Sequence, residues 1–131
     1  MGEVLQKILL VGFGGFAGSV FRYLTSGYVQ DMSGSVGFPY GTIVVNLTGC
    51  LIIGFLSYLA DARGVFSAEA HTFIFIGILG GFTTFSTFGN ETMNLLRDRQ
   101  TSLALANIGI QVIAGLFLVW VGRSLAYLIW R

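Results

Sequence analysis

Four long apolar stretches divide this chain: about Val4 to Ser26, Tyr40 to Ala60, His71 to Leu96 and Ser102 to Trp130. A helix crossing a bilayer core needs roughly 20 mainly apolar residues, so all four read as membrane-spanning helices. Short polar connections separate them, at Gly27 to Pro39, Asp61 to Ala70 and Arg97 to Thr101. Connections this short predict an up-down-up-down bundle, a single membrane domain over residues 1–131. In the first connection Gly34, Gly37 and the only proline, Pro39, mark a stop before the helix that opens Tyr40-Gly41-Thr42. The first stretch is expected to be retained, because Arg22 and a second span follow it in place of a small-residue cleavage site.

Composition sharpens the class. Of the residues 54% are hydrophobic and 10% charged, against roughly a quarter charged in soluble domains. An all-α membrane protein without a soluble domain is expected. The net charge of +1 comes with no basic stripe, which argues against nucleic acid as a partner. Cys50 is the only cysteine and His71 the only histidine, so neither an internal disulfide nor a Cys/His metal cluster is expected. Gly14 and Gly18, like Gly77 and Gly81, are spaced for close helix crossing.

The chemistry concentrates at Gly80-Gly81-Phe82-Thr83-Thr84-Phe85-Ser86-Thr87-Phe88, inside the third span. In hydrocarbon an unsatisfied polar group is costly, so closely spaced hydroxyls and paired glycines point to groups facing protein, water or an ion. At about 100° per residue, Thr83, Ser86, Thr87, Asn90 and Asn94 share one helix face while Phe85 and Phe88 point away from it. Adjacent glycines followed by hydroxyls also predict a helix break near mid-membrane, since the hydroxyls can satisfy the freed backbone.

Asn46 places an amide in the second span, either to donate to a dehydrating anion or to bond a neighbouring helix. Arg22 reads as a snorkelling side chain or as the positive lining of a vestibule. Gln111 is the chief polar group mid-way along the fourth span and can extend a polar track. Glu91 lies about 30 Å from His71 along the third span at 1.5 Å per residue, which places it near the far headgroups. A phenylalanine ring has a positive edge, so the two rings can meet an anion without formal charge.

Taken in order, the Gly80 to Phe88 motif, Gly41-Thr42-Ile43-Val44-Val45-Asn46 and the Gly18/Arg22 element resemble the Fluc (CrcB) fluoride channels over essentially the whole chain. The resemblance implies an antiparallel, dual-topology homodimer in the cell (inner) membrane, with two fluoride pathways and a central structural sodium ion. The sodium ligands of that family map to the main-chain carbonyls of Gly80 and Thr83 of both subunits. Its pore phenylalanines map to Phe85 and Phe88, its pore asparagine to Asn46 and its hydroxyl track to Ser86 and Thr87. Gln111 and Gly115 depart from the family's usual tyrosine or histidine and serine in the fourth span. The implied activity is passive exit of cytoplasmic fluoride, which enters as the neutral acid and is trapped on ionising. No enzyme activity is implied.

Two other readings compete. A small dual-topology, proton-coupled multidrug exporter needs a membrane-embedded acid, and Glu3 and Glu91 both read as terminal. A non-conducting assembly subunit would account for the packing glycines alone.

Lys7, Arg63, Arg123 and Arg131 fall on the side of the two termini, against Arg97, Arg99 and Arg22 on the other. Orientation follows this bias, and four against three is nearly even. Both orientations should therefore insert. With cysteines placed at the termini of a chain lacking Cys50, an impermeant thiol reagent should label from both sides of the membrane; labelling from one side only would rule out dual topology.

Overall fold

The structure, a computed structural model, describes residues 1–130, and the regular structure among them is helical throughout. Helix α1 covers Gly2–Ser33 and α2 covers Tyr40–Arg63. The third apolar segment, Ala68–Arg97, holds α3 (68–82) and α4 (Phe85–Arg97), and α5 is the fourth, Thr101–Trp130. Each of the four segments is long and apolar enough to cross a membrane.

The first helix outruns its expected end at Ser26 and absorbs half of the expected loop. It stops at Gly34, whose φ of 63° is open to glycine at no steric penalty. The reason lies one turn earlier, in Gln30. Its Nε2 donates to the carbonyls of Ser35 (2.6 Å) and Phe38 (3.0 Å), and its Oε1 accepts from the Gly41 N–H at 3.1 Å. A helical backbone at Gln30 lets one amide satisfy the corner that turns the chain into α2.

Two stretches widen into π-type turns, Thr72–Leu79 in α3 and Ile110–Ala114 in α5. Such turns shift the register of every side chain that follows. Gly80 begins immediately after the first, and Gln111 lies within the second.

Membrane helices associate by close packing, because lipid is as apolar as leucine. Glycines make the closest approaches here. A Cβ on Gly14 would sit 2.6 Å from the Phe73 carbonyl oxygen and 2.9 Å from the Gly77 Cα, and one on Gly81 would sit 2.7 Å from the Gly15 carbonyl oxygen. At Gly18 it would overlap the Ile78 carbonyl. The two glycine pairs expected to mark crossings thus lie along one seam between α1 and α3. A second seam joins α2 to α5, where Gly54 abuts the Val119 carbonyl and Gly122 the Leu51 carbonyl. The first seam brings Arg22, one turn beyond Gly18, within reach of the residues that follow Phe82.

Candidate functional site

Between α3 and α4 the backbone is extended, at Thr83 (φ −82°, ψ 158°) and Thr84 (φ −151°, ψ 115°). An extended residue loses the helical partners of its N–H and C=O, and hydrocarbon offers no water in their place. Asn46 supplies both for Thr84. The Thr84 N–H donates to Asn46 Oδ1 at 2.8 Å, and Asn46 Nδ2 donates to the Thr84 carbonyl at 3.0 Å. The Thr84 side chain then caps α4, its Oγ1 accepting from the Thr87 N–H at 3.3 Å.

This arrangement redirects two donors. In a continuous helix the Thr84 N–H would reach the Gly80 carbonyl and the Thr87 N–H the Thr83 carbonyl; here they point to Asn46 Oδ1 and Thr84 Oγ1. Arg22 Nη1 approaches the Thr83 carbonyl at 3.4 Å. The guanidinium therefore turns toward the junction of α3 and α4.

From Asn46 a chain of side-chain hydrogen bonds crosses to α5 and back. Asn46 Nδ2 also donates to Gln111 Oε1 (2.6 Å), Gln111 Nε2 to Asn107 Oδ1 (2.9 Å) and Asn107 Nδ2 to Thr92 Oγ1 (2.9 Å). The Thr92 hydroxyl donates to the Phe88 carbonyl at 2.8 Å. Both hydrogens of the Asn46 amide are thereby engaged within the protein.

Two cavities flank the extended pair. One, of about 470 Å³, is lined by Asn46, Gly80, Thr83, Phe85, Phe88 and Gln111. The other, of about 500 Å³, is more polar and is lined by Ser19, Arg22, Ser26, Thr42 and Thr87. Thr84 lines both.

The expected residues thus separate into a ring-and-amide group and a hydroxyl-and-guanidinium group. Ser86 stands beside the divide, its hydroxyl 3.5 Å from that of Thr84, which itself donates to Thr87 Oγ1 at 3.0 Å. Thr83 does not join the helical hydroxyl face on which the 100° rule placed it. It precedes α4 in extended backbone, and its hydroxyl bonds back to the Leu79 carbonyl at 3.0 Å. The two rings lie 5.5 Å apart, yet Phe88 is 9% exposed and Phe85 is 83% exposed on the single chain.

Glu91 turns inward and accepts from the Thr42 hydroxyl at 2.7 Å, and its second oxygen is buried without a hydrogen-bond partner among the described residues. Asn107, which no motif in the sequence marks, is fully buried. Its amide lies inside an apolar span and so raises the same question as Asn46.

Comparison with known proteins matches nearly the whole chain. The family model described as "CrcB-like protein, Camphor Resistance (CrcB)" matches residues 9–123. The chain is 42% identical over 121 residues to the fluoride-specific ion channel FluC of Methylobacillus flagellatus, covering 92% of this chain and 94% of that protein. It is 43% identical over 119 residues to fluoride-specific ion channel FluC 1 of Methanosarcina acetivorans, covering 91% and 89%. With FluC of Methanocaldococcus jannaschii it shares 43% identity over 128 residues, 98% of this chain and 100% of the other. These matches take in the extended pair, the relay and both cavities, and the chain therefore belongs to the CrcB-like family of multi-pass membrane proteins.

Proposed function

We propose that this protein is a fluoride-selective channel of the cell (inner) membrane, through which cytoplasmic fluoride leaves by passive electrodiffusion. The observation that carries the reading is the extended Thr83–Thr84 pair, held by Asn46 between a cavity lined by rings and amides and one lined by hydroxyls and a guanidinium. The relatives' name supplies the ion.

The chemistry suits a small, strongly hydrated anion. Its water must be replaced by convergent donors, because an unpaired charge in low dielectric is costly. Arg22 raises the anion concentration in the polar cavity. Thr87 accepts from Thr84, which leaves its own hydroxyl hydrogen for an anion in that cavity. Beyond the divide, Phe85 and Phe88 offer ring edges and Gln111 an amide. Neutral donors bind weakly enough to release the ion, which conduction requires.

A single chain does not enclose this path. Phe85, Ser86, Thr87 and Asn90 are exposed in a segment apolar enough to cross a membrane, where lipid would leave the polar groups unsatisfied. A second copy in antiparallel orientation would cover them, and the near-even Lys/Arg count permits that orientation. On this reading the extended pair is the mid-membrane break of the third helix.

The structural sodium belongs to the same reading. Gly80 and Thr83 contribute two neutral carbonyl oxygens whose helical donors are engaged elsewhere, and a two-fold axis would bring four together, a fitting set for a hard cation. Arg22 near the Thr83 carbonyl weighs against cation binding in the single chain. Bound there, sodium would supply positive charge close to the anion path.

The exporter reading gains one observation, the inward carboxylate of Glu91. Flux separates the readings. Purified protein in proteoliposomes should release fluoride down its gradient without a proton ionophore, carry no chloride, and lose flux when sodium is removed. Absent fluoride flux, or flux that needs a proton gradient, would reject the channel.

Replacing Phe85 or Phe88 with isoleucine keeps apolar bulk and removes the positive ring edge. Fluoride flux should fall roughly tenfold, as for a lost contact of about 1.4 kcal/mol, while chromatographic behaviour stays that of the unmodified protein. Unchanged flux in both variants would remove the rings from the mechanism.

A further inference from the structure

We propose that Asn107 is a positioning residue for the channel. Acting through Gln111, it holds the amide nitrogen so that its free hydrogen faces the ring-lined cavity. The inference rests on the channel reading above and deepens it.

Direction in the relay follows from a group that cannot reverse. A backbone N–H only donates, so the Thr84 N–H fixes Asn46 Oδ1 as its acceptor and Asn46 Nδ2 as the donor side. Asn46 Nδ2 then spends its two hydrogens on the Thr84 carbonyl and on Gln111 Oε1. With Gln111 Oε1 an acceptor, Gln111 Nε2 faces Asn107 Oδ1, and Asn107 Nδ2 faces Thr92 Oγ1.

The far end is held as well. Thr92 has one hydroxyl hydrogen, and it goes to the Phe88 carbonyl, so Thr92 Oγ1 must accept from Asn107. Reversing Gln111 alone would set its Nε2 against Asn46 Nδ2 and its Oε1 against Asn107 Oδ1. Reversing Asn107 too would pull the Thr92 hydrogen away from Phe88. The relay has one satisfied direction between two backbone anchors.

That direction has a consequence for an anion. Fluoride can only accept hydrogen bonds, and Asn46 has no hydrogen left for it. Gln111 Nε2 has two hydrogens, of which Asn107 takes one. The second belongs to a side chain that lines the same cavity as Phe85 and Phe88. Asn107 itself is fully buried and outside the lining of that cavity, so its influence passes through Gln111. Without Asn107, Gln111 keeps its oxygen on Asn46 but loses the acceptor that fixes Nε2, so its free hydrogen is no longer held toward the rings.

The test is a double-mutant cycle of fluoride efflux from proteoliposomes, with Asn107→Leu, Gln111→Met and the pair. Each single change should lower flux roughly tenfold, the scale of one hydrogen bond, with the protein still monodisperse. The pair should be no slower than Gln111→Met alone, because Asn107 acts only through Gln111. Multiplying losses would show a packing role and overturn the proposal, as would wild-type flux in Asn107→Leu. If that variant does not yield monodisperse protein, Asn107→Ala, which likewise removes the acceptor, enters the same cycle and is read by the same two outcomes. Conduction by the unmodified protein with no coupling in the cycle rejects this inference alone; no conduction by the unmodified protein rejects the channel reading and this inference with it.

Discussion

The bond between the Thr84 backbone and the Asn46 amide is the constraint on which the other parts of the site depend. A residue in extended conformation within a membrane span exposes an N–H and a C=O, each costing about 1–3 kcal/mol if left buried and unpaired. Asn46 pairs both. With one amide hydrogen held by the Thr84 carbonyl, the second passes to Gln111, and the relay inherits a direction that ends on the Phe88 carbonyl. The same bond diverts the Thr84 N–H from the Gly80 carbonyl, in the middle of an apolar segment.

Glycine makes this geometry reachable. Three contacts along the α1–α3 seam, at Gly14, Gly18 and Gly81, leave no room for a Cβ. Their closeness brings the Arg22 guanidinium to the Thr83 carbonyl and forms the wall of the polar cavity. The α2–α5 seam at Gly54 and Gly122 likewise holds α2 near enough to α5 for Asn46 to touch Gln111. Helix packing and site chemistry are one problem here, since the relay spans elements that only small residues bring together.

Much of the architecture was legible in the sequence because hydrophobic length is a strong signal. The four spans, the paired glycines and the Gly80 to Phe88 motif could all be read directly. Rotation about a helix axis was harder. An ideal 100° step placed Thr83 on the hydroxyl face, whereas the extended pair takes Thr83 out of the helix. The π-type turn around Gln111 has no simple residue signature. Asn107 is visible in the sequence as a polar residue within a span, but its partners in α4 and α5 are ones that periodicity does not pair. Gln30 looked like a loop residue because its function, bonding three backbone groups of the corner, is a tertiary one.

The most direct measurement is fluoride efflux through an Asn46→Leu protein that elutes like the unmodified one. Leucine keeps the volume and removes both hydrogen bonds to Thr84, leaving two backbone groups unsatisfied and the relay without its anchor. Efflux should fall by on the order of 100-fold or more, the factor that corresponds to about 2.7 kcal/mol. Efflux within about twofold of the unmodified protein, a difference of under ~0.5 kcal/mol, would contradict the claim that Asn46 holds the extended pair in its conducting form.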